Sequence, residues 1–308
     1  MKITFYGTRG STPTPDPDFI RFGGNTSCIL LTFDSGRIAI LDAGTGIRKL
    51  GDDVIAASTE RYNNIFIGLF HTHWDHIQGF PFFEPAYDPK RRITIAICGK
   101  DRGAKDLESI FSTQIQLDFF PVPLDKMGAT IKFWQPDIDN YTTSDGVKII
   151  ASRHNHPGYA YGYRIEDGGK ILVYCTDVEH NDGIDPNVVA LSRNADLLIH
   201  DAHYTPEELK TKKGWGHSSW EQAIEVAERA KVKKLALFHH APEHTDDFLL
   251  HMEKNARSGF QMLFWQEKVW KSKYRCFPKE NYLFLPAAPH PNIRRPAPHR
   301  SQVTFRLP

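Results

Sequence analysis

The sequence predicts an α/β protein of α+β type, a four-layer αββα sandwich of two mixed β-sheets flanked by helices. Three observations carry this expectation. Short runs rich in β-branched and aromatic residues recur along the chain, many of them closed by Gly, Asp, Asn or His. Helical stretches fall between groups of strands instead of alternating strictly with them, which favours two packed sheets over one doubly wound sheet. Finally, the apolar run 65–70 ends directly in His71-Thr72-His73-Trp74-Asp75-His76, a buried strand that delivers a polar cluster to the end of a sheet.

Taken in order, the expected strands are 3–6, 28–33, 37–41, 65–70, 93–97, 130–134, 147–151, 161–165, 171–175, 197–200 and 235–238. A helix is expected over 47–61, opening after Gly44-Thr45-Gly46. Another spans 105–116, where Leu107, Ile110, Phe111 and Ile115 recur at helical spacing. The clearest helix is 220–231, capped by Ser218 or Ser219, with Trp220, Ile224 and Ala227 on one face. One more starts near Thr245-Asp246-Asp247, and segment 110–128, with Phe119-Phe120-Pro121-Val122-Pro123, is a candidate flap over a cleft. Residues 1–258 are read as one folded domain, 259–285 as an appendage without an assigned role, and the Pro- and Arg-rich 286–308 as a flexible tail.

At 308 residues the chain can bury a sizeable core, and its formal net charge of +1 gives no global electrostatic case for a long polyanion. The four cysteines (Cys28, Cys98, Cys175, Cys276) are scattered without a CxxC pair, and three lie in apolar runs, where Cys serves as a small buried hydrophobe. The N-terminus reads as a strand and lacks the apolar stretch of a signal peptide, and no run of eighteen apolar residues occurs. A cytoplasmic protein with no membrane segment is the resulting expectation.

The hexad is first of all a metal site. Imidazole nitrogen and carboxylate oxygen suit zinc and its first-row neighbours. A tight loop leaving a strand can aim His71 and His73 at one point and Asp75 and His76 at a second, the arrangement of a two-metal hydrolase.

The hexad matches the HxHxDH signature of the metallo-β-lactamase superfamily, and further segments resemble that family in the same order. These are Gly7 to Ser11, Gly23 to Cys28, Leu41 to Gly46, His71 to Pro81, His156 followed by Gly162 to Ile165, Tyr174 to Asp177, Gly216-His217-Ser218 and Leu237-Phe238-His239. The likeness is to the phosphodiesterase branch that holds tRNase Z and the cyclic phosphodiesterases, and it runs from Met1 to about Ser258. It implies that His71, His73 and His156 hold one divalent ion, that Asp75, His76 and His239 hold a second, and that Asp177 bridges both. Zinc is the expected metal, with manganese as the alternative. Asp177 and His239 also each end an apolar strand, while His154 competes with His156 and His240 with His239. The resemblance further implies His217 as the acid that protonates a leaving oxygen, Asp75 as a catalytic ligand, and Asp42 and Asp201 as carboxylates orienting metal-bound imidazoles. Asp42 to Gly46 is a weak phosphate-cradle signal that a tight turn also explains.

The function expected is hydrolysis of a small cyclic phosphate, a cyclic nucleotide or a ribose cyclic phosphate, by a hydroxide bridging two metals. The glycine- and basic-rich insertion that grips the tRNA elbow in tRNase Z has no counterpart here, nor does the cysteine-bearing extra zinc site of one phosphoribosyl cyclic phosphodiesterase group. RNA-end processing of tRNase Z type is the enzymatic alternative, and a non-catalytic, metal-bound nucleotide sensor is the alternative from another class. β-Lactam or thioester hydrolysis fits the flanking segments poorly. Similar proteins suggest a homodimer.

Overall fold

The computed structural model describes residues 1–57, 59, 62–99, 107–136 and 138–256. The expected appendage and tail, with the domain boundary at 258, lie outside the described residues. One six-stranded sheet has the order β1-β2-β3-β4-β5-β6 and the other β12-β11-β10-β9-β8-β7. In the first, β1 (Lys2–Gly7), β2 (Cys28–Thr32) and β3 (Ile38–Leu41) pair antiparallel. Then β4 (Asn64–Gly68), β5 (Arg92–Ala96) and β6 (Thr130–Trp134) continue parallel to β3.

The second sheet likewise starts antiparallel and ends parallel along the chain. Its strands β7 (Asn140–Thr142), β8 (Lys148–His154), β9 (Ala160–Asp167) and β10 (Lys170–Cys175) pair antiparallel, and β11 (Leu197–Asp201) and β12 (Leu235–Phe238) are parallel to β10. Both sheets are thus mixed. Parallel strands covered on both faces need continuous apolar runs, and Ile38-Ala39-Ile40-Leu41 and Leu235-Ala236-Leu237-Phe238 are buried along their whole length.

Three apolar clusters define the layers. Ile29, Leu31, Phe70, Tyr163, Tyr174, Ile199 and Phe238 pack between the sheets. Helices α1 (Gly46–Ala57) and α3 (Leu107–Gln114) cover the outer face of the first sheet through Ile47, Leu50, Val54, Leu107 and Phe111. Helices α4 (Pro186–Ser192), α6 (Trp220–Arg229) and α7 (Asp246–Ala256) cover the second through Val188, Leu191, Val226 and Leu249. Two one-turn helices complete the set, α2 (Trp74–Ile77) and α5 (Pro206–Leu209).

Boundaries depart from expectation where local chemistry decides. The helix expected over 220–231 ends at Arg229, and its cap is Ser219, which forms a reciprocal capping box with Gln222. Helix α4 was absent from the expected set because Val188 and Val189 favour strands; the Asp185 cap, accepting from Asn187 N–H, and Pro186 at the first turn are what start it. The segment proposed as a flap sits beside α2: Gln114 donates to Ile77 O at 3.0 Å, and Phe120 packs edge-on against Phe82. Among the described residues no helix is long and apolar enough to cross a membrane.

Candidate metal centre

The parallel strands of both sheets end at one edge of the sandwich, and the candidate residues leave from those ends. Asp42 follows β3, the hexad follows β4, Asp177 follows β10, Asp201 closes β11 and His239 follows β12. Ligand sites in α/β sheets lie outside such carboxyl ends. Three of these residues turn sharply out of their strands with left-handed backbone: Asp42 (φ 60°), Asp177 (φ 54°) and His239 (φ 60°). Asp and His tolerate this region better than most side chains, but each still costs on the order of 1 kcal/mol, which the surrounding packing must hold in place.

His71, His73 and His156 form one group whose nitrogens converge, with His156 Nε2 3.2 Å from His73 Nδ1. Asp75, His76 and His239 form a second: His239 Nε2 lies 3.0 Å from Asp75 Oδ2 and 3.3 Å from His76 Nε2. Asp177 stands between them, with Oδ2 3.2 Å from His76 Nε2, and Oδ1 3.4 Å from His239 Nε2 and 3.7 Å from His71 Nε2. Ligands about 2.0–2.1 Å from a tetrahedral zinc are about 3.3 Å from each other, close to the spacing seen here. Both ring nitrogens of His71 are buried without a hydrogen-bond partner, a costly state that a cation relieves. The donor set of imidazoles and carboxylates therefore fits divalent metal. His73 is exposed, so the cluster opens to solvent beside Trp74.

The competing histidines stand apart. His154 and His240 are buried with unpartnered ring nitrogens, and neither joins a convergent group among the described residues. Burial pushes His154 down to about 3, so it is neutral.

Hydrogen bonds fix the rings. Asp42 Oδ2 accepts from His76 Nδ1 at 2.8 Å and from the Tyr174 hydroxyl at 2.9 Å, which leaves His76 Nε2 aimed at the cluster. The Ser11 N–H donates to Asp75 Oδ2 (2.8 Å), and the His156 ring donates through Nδ1 to Gly216 O (2.8 Å). Two glycines make room: a Cβ on Gly10 would stand 2.4 Å from the His239 ring, and one on Gly216 would stand 2.2 Å from His156 Nδ1. At Gly44 a Cβ would meet Asp75 O at 2.3 Å, so the Asp42 to Gly46 turn packs against the hexad backbone.

Asp201 differs from expectation. Its Oδ2 takes His217 Nδ1 at 2.8 Å and the Asp177 N–H at 3.0 Å, and Oδ1 takes the N–H groups of His203 and Ser218. The His239 ring is 3.8 Å away, beyond hydrogen-bond reach. Asp201 therefore orients His217 and the Asp177 backbone and makes no hydrogen bond to a candidate ligand ring. This is the charge partner for His217 that the sequence did not reveal.

Electrostatics follow the geometry. Burial would lower His217, but Asp201, joined by Asp177 and Asp75, outweighs it and lifts the imidazole to about 9. Burial would raise Asp75 and Asp177; neighbouring histidines, His76 for the first and His239 for the second, hold both well below the ordinary carboxylate range. Burial, reinforced by His76, depresses His71 far below 6.5, so its nitrogens are free to bind a cation.

Sequence reasoning missed three contributors. His203 stacks on His217 with centroids 4.3 Å apart and reaches His239 O through Nδ1 at 2.7 Å. Its position two residues past Asp201, at a strand exit, was the available signal. Glu179 accepts from Gly214 and Gly216 N–H and so holds the loop that carries His217. Tyr174, which the sequence reading places in a strand and in a family-like segment without a role, is the third, holding Asp42.

Comparison with known proteins places the chain in a family. Residues 40–240 match the family described as "Beta-lactamase superfamily domain". The chain is similar to "Ribonuclease Z" of Picrophilus torridus, at 25% identity over 81% of this chain and 89% of that one. It is also similar to "Ribonuclease Z" of Thermococcus sibiricus, at 28% identity over 79% and 87%. Among solved structures, the metallo-beta-lactamase fold protein YhfI from Bacillus subtilis superposes with a TM-score of 0.60 at 24% identity, covering 85% of this chain and 95% of that one.

Proposed function

Because the chain belongs to the β-lactamase superfamily, we propose that its cluster works as a dinuclear-metal phosphodiesterase on a small cyclic phosphate, a cyclic nucleotide or a ribose cyclic phosphate. His71, His73 and His156 would hold one divalent ion, Asp75, His76 and His239 a second, with Asp177 shared, and zinc suits this donor set best. Held there, divalent ions supply an activated water and offset charge on the phosphoryl oxygens.

The observation that carries the reading is the His217–Asp201 pair beside the cluster, 2.8 Å apart, with His217 Nδ1 also 4.0 Å from Asp177 Oδ1. A protonated imidazole whose Nδ1 is engaged by a carboxylate has its Nε2–H left for another acceptor. The departing oxygen of a phosphodiester needs such a proton; hydrolysis of a good leaving group does not. His203 and Asp201 hold the ring in place, and Ser11 N–H holds Asp75.

The test is a panel of cyclic mononucleotides, ribose cyclic phosphates and bis-p-nitrophenyl phosphate, run with defined zinc and manganese on wild type, His73→Ala and Asp75→Ala. Turnover by wild type and loss of turnover and metal in both variants is expected; variants as active as wild type would overturn the mechanism. A second reading is favoured by the similarity to ribonuclease Z proteins: cleavage at RNA ends. Processing of a labelled tRNA precursor with a steep salt dependence, and no turnover of cyclic phosphates, would select it.

A further inference from the structure

Two exposed aromatic side chains sit on the two loops that hold one imidazole of the cluster, His156. Tyr159 closes the turn after β8, where its N–H donates to His156 O at 3.2 Å. Its backbone is left-handed (φ 74°), a conformation that a bulky aromatic residue adopts only under constraint, and it follows Gly158 (φ 81°). Tyr159 is 43% exposed, and the Arg153 guanidinium lies 3.9 Å from its ring centroid.

Trp215 stands between Gly214 (φ 85°) and Gly216 (φ 88°). Both glycine N–H groups donate to the buried Glu179 carboxylate, at 2.6 and 2.8 Å, and Gly216 O takes the His156 Nδ1 proton. Trp215 is 60% exposed, with Lys212 Nζ 4.2 Å from the ring centroid. A large apolar ring ordinarily gains by burial. Here a strained turn and a doubly anchored loop instead display two of them, each backed by a cation and each within one loop of His156.

We propose that Tyr159 and Trp215 form a nucleobase subsite, so that among phosphodiesters the enzyme selects those carrying a base. This rests on the phosphodiesterase reading above. A base stacks on an exposed aromatic face whatever its sequence identity. The cations behind the rings add attraction for a phosphate-bearing ligand without occupying the face turned to solvent. A base-free ribose phosphate offers the rings nothing to stack on.

Two measurements separate this inference from the reading beneath it. Titration calorimetry of metal-loaded protein with adenosine 5′-monophosphate and with ribose 5-phosphate compares binding of one phosphate with and without a base, independently of turnover. Tighter binding of the nucleotide is expected, and Trp215→Ala and Tyr159→Ala should each weaken it roughly 5- to 150-fold, with Trp215→Phe recovering most of the loss. Equal binding of the two ligands, or equal weakening of both in the alanine variants, would overturn the subsite.

The ratio of kcat/KM for adenosine 2′,3′-cyclic phosphate over methyl riboside 2,3-cyclic phosphate should fall toward one in the same variants. A ratio unchanged from wild type would likewise overturn it. Wild type that binds nucleotides preferentially but hydrolyses neither cyclic phosphate would sink the phosphodiesterase reading while supporting the subsite.

Discussion

Replacing Asp201 by Asn is the sharpest test of how this site moves protons. The substitution keeps Oδ1 for the N–H groups of His203 and Ser218 but removes the charge at Oδ2 that faces His217 Nδ1. Asp201 and its neighbours lift His217 from 6.5 to about 9, an interval equivalent to about 3 kcal/mol. Without that charge, burial pulls the imidazole back toward its ordinary 6.5, against the remaining lift from Asp177 and Asp75. At pH 8 the wild-type ring is mostly protonated, whereas a ring returned to 6.5 is about 3% protonated, so the supply of acid would fall by up to roughly thirtyfold. Bound cations oppose the wild-type lift, which reduces the predicted loss to about 10- to 30-fold.

The sign is fixed: an acid works while protonated, so activity drops as pH rises through its pKa, and the alkaline limb of the variant moves to lower pH. The assay is kcat/KM against pH for two phosphodiesters, one losing an alkoxide and one losing p-nitrophenolate. The alkyl substrate should show the full loss and the p-nitrophenyl substrate little of it, with metal content measured alongside because Asp201 also accepts from Asp177 N–H. Equal losses on both substrates with an unmoved alkaline limb would refute the assignment of His217 as the acid.

Three further outcomes are expected. Stripping with chelator should lower the melting temperature and zinc should restore it, by about 2.7 kcal/mol at a hundredfold excess over Kd; a temperature insensitive to metal contradicts a cation at this cluster. Asp42→Ala leaves His76 Nδ1 and the Tyr174 hydroxyl without their buried acceptor, and should cost about 1–3 kcal/mol in denaturant unfolding and weaken metal binding 10- to 100-fold by chelator competition. His156→Gln should lose metal whereas His154→Gln should retain it, as elemental analysis of the purified variants will tell, since only His156 converges with His71 and His73.

Much of this was legible in the residue order because strand exits announce themselves. An apolar run followed at once or within one residue by Asp or His marked Asp42, the hexad, Asp177, Asp201 and His239, and the structure gathers all five exits at one edge. The layering was accessible too, since strands such as 38–41 come in groups with helices between those groups. What escaped was long-range pairing. Nothing near His217 in the chain hints that Asp201, sixteen residues earlier, accepts from its ring, or that Glu179 reaches Gly214 and Gly216. Partnerships of this kind are made by the folded chain and leave no local periodicity. Short elements were lost for another reason: β7 has three residues, too few for alternation to register, and the valines of α4 argue for the wrong state.

The buried carboxylate of Asp42 reaches across the interface between the sheets, holding a phenol that belongs to one half of the sandwich and an imidazole that belongs to the other. Sliding one sheet past its partner would therefore rotate His76 before it opened any gap in the apolar interior. The sandwich serves as its own alignment jig: the tolerance to which its two halves are mated is the tolerance to which the metal cage is built.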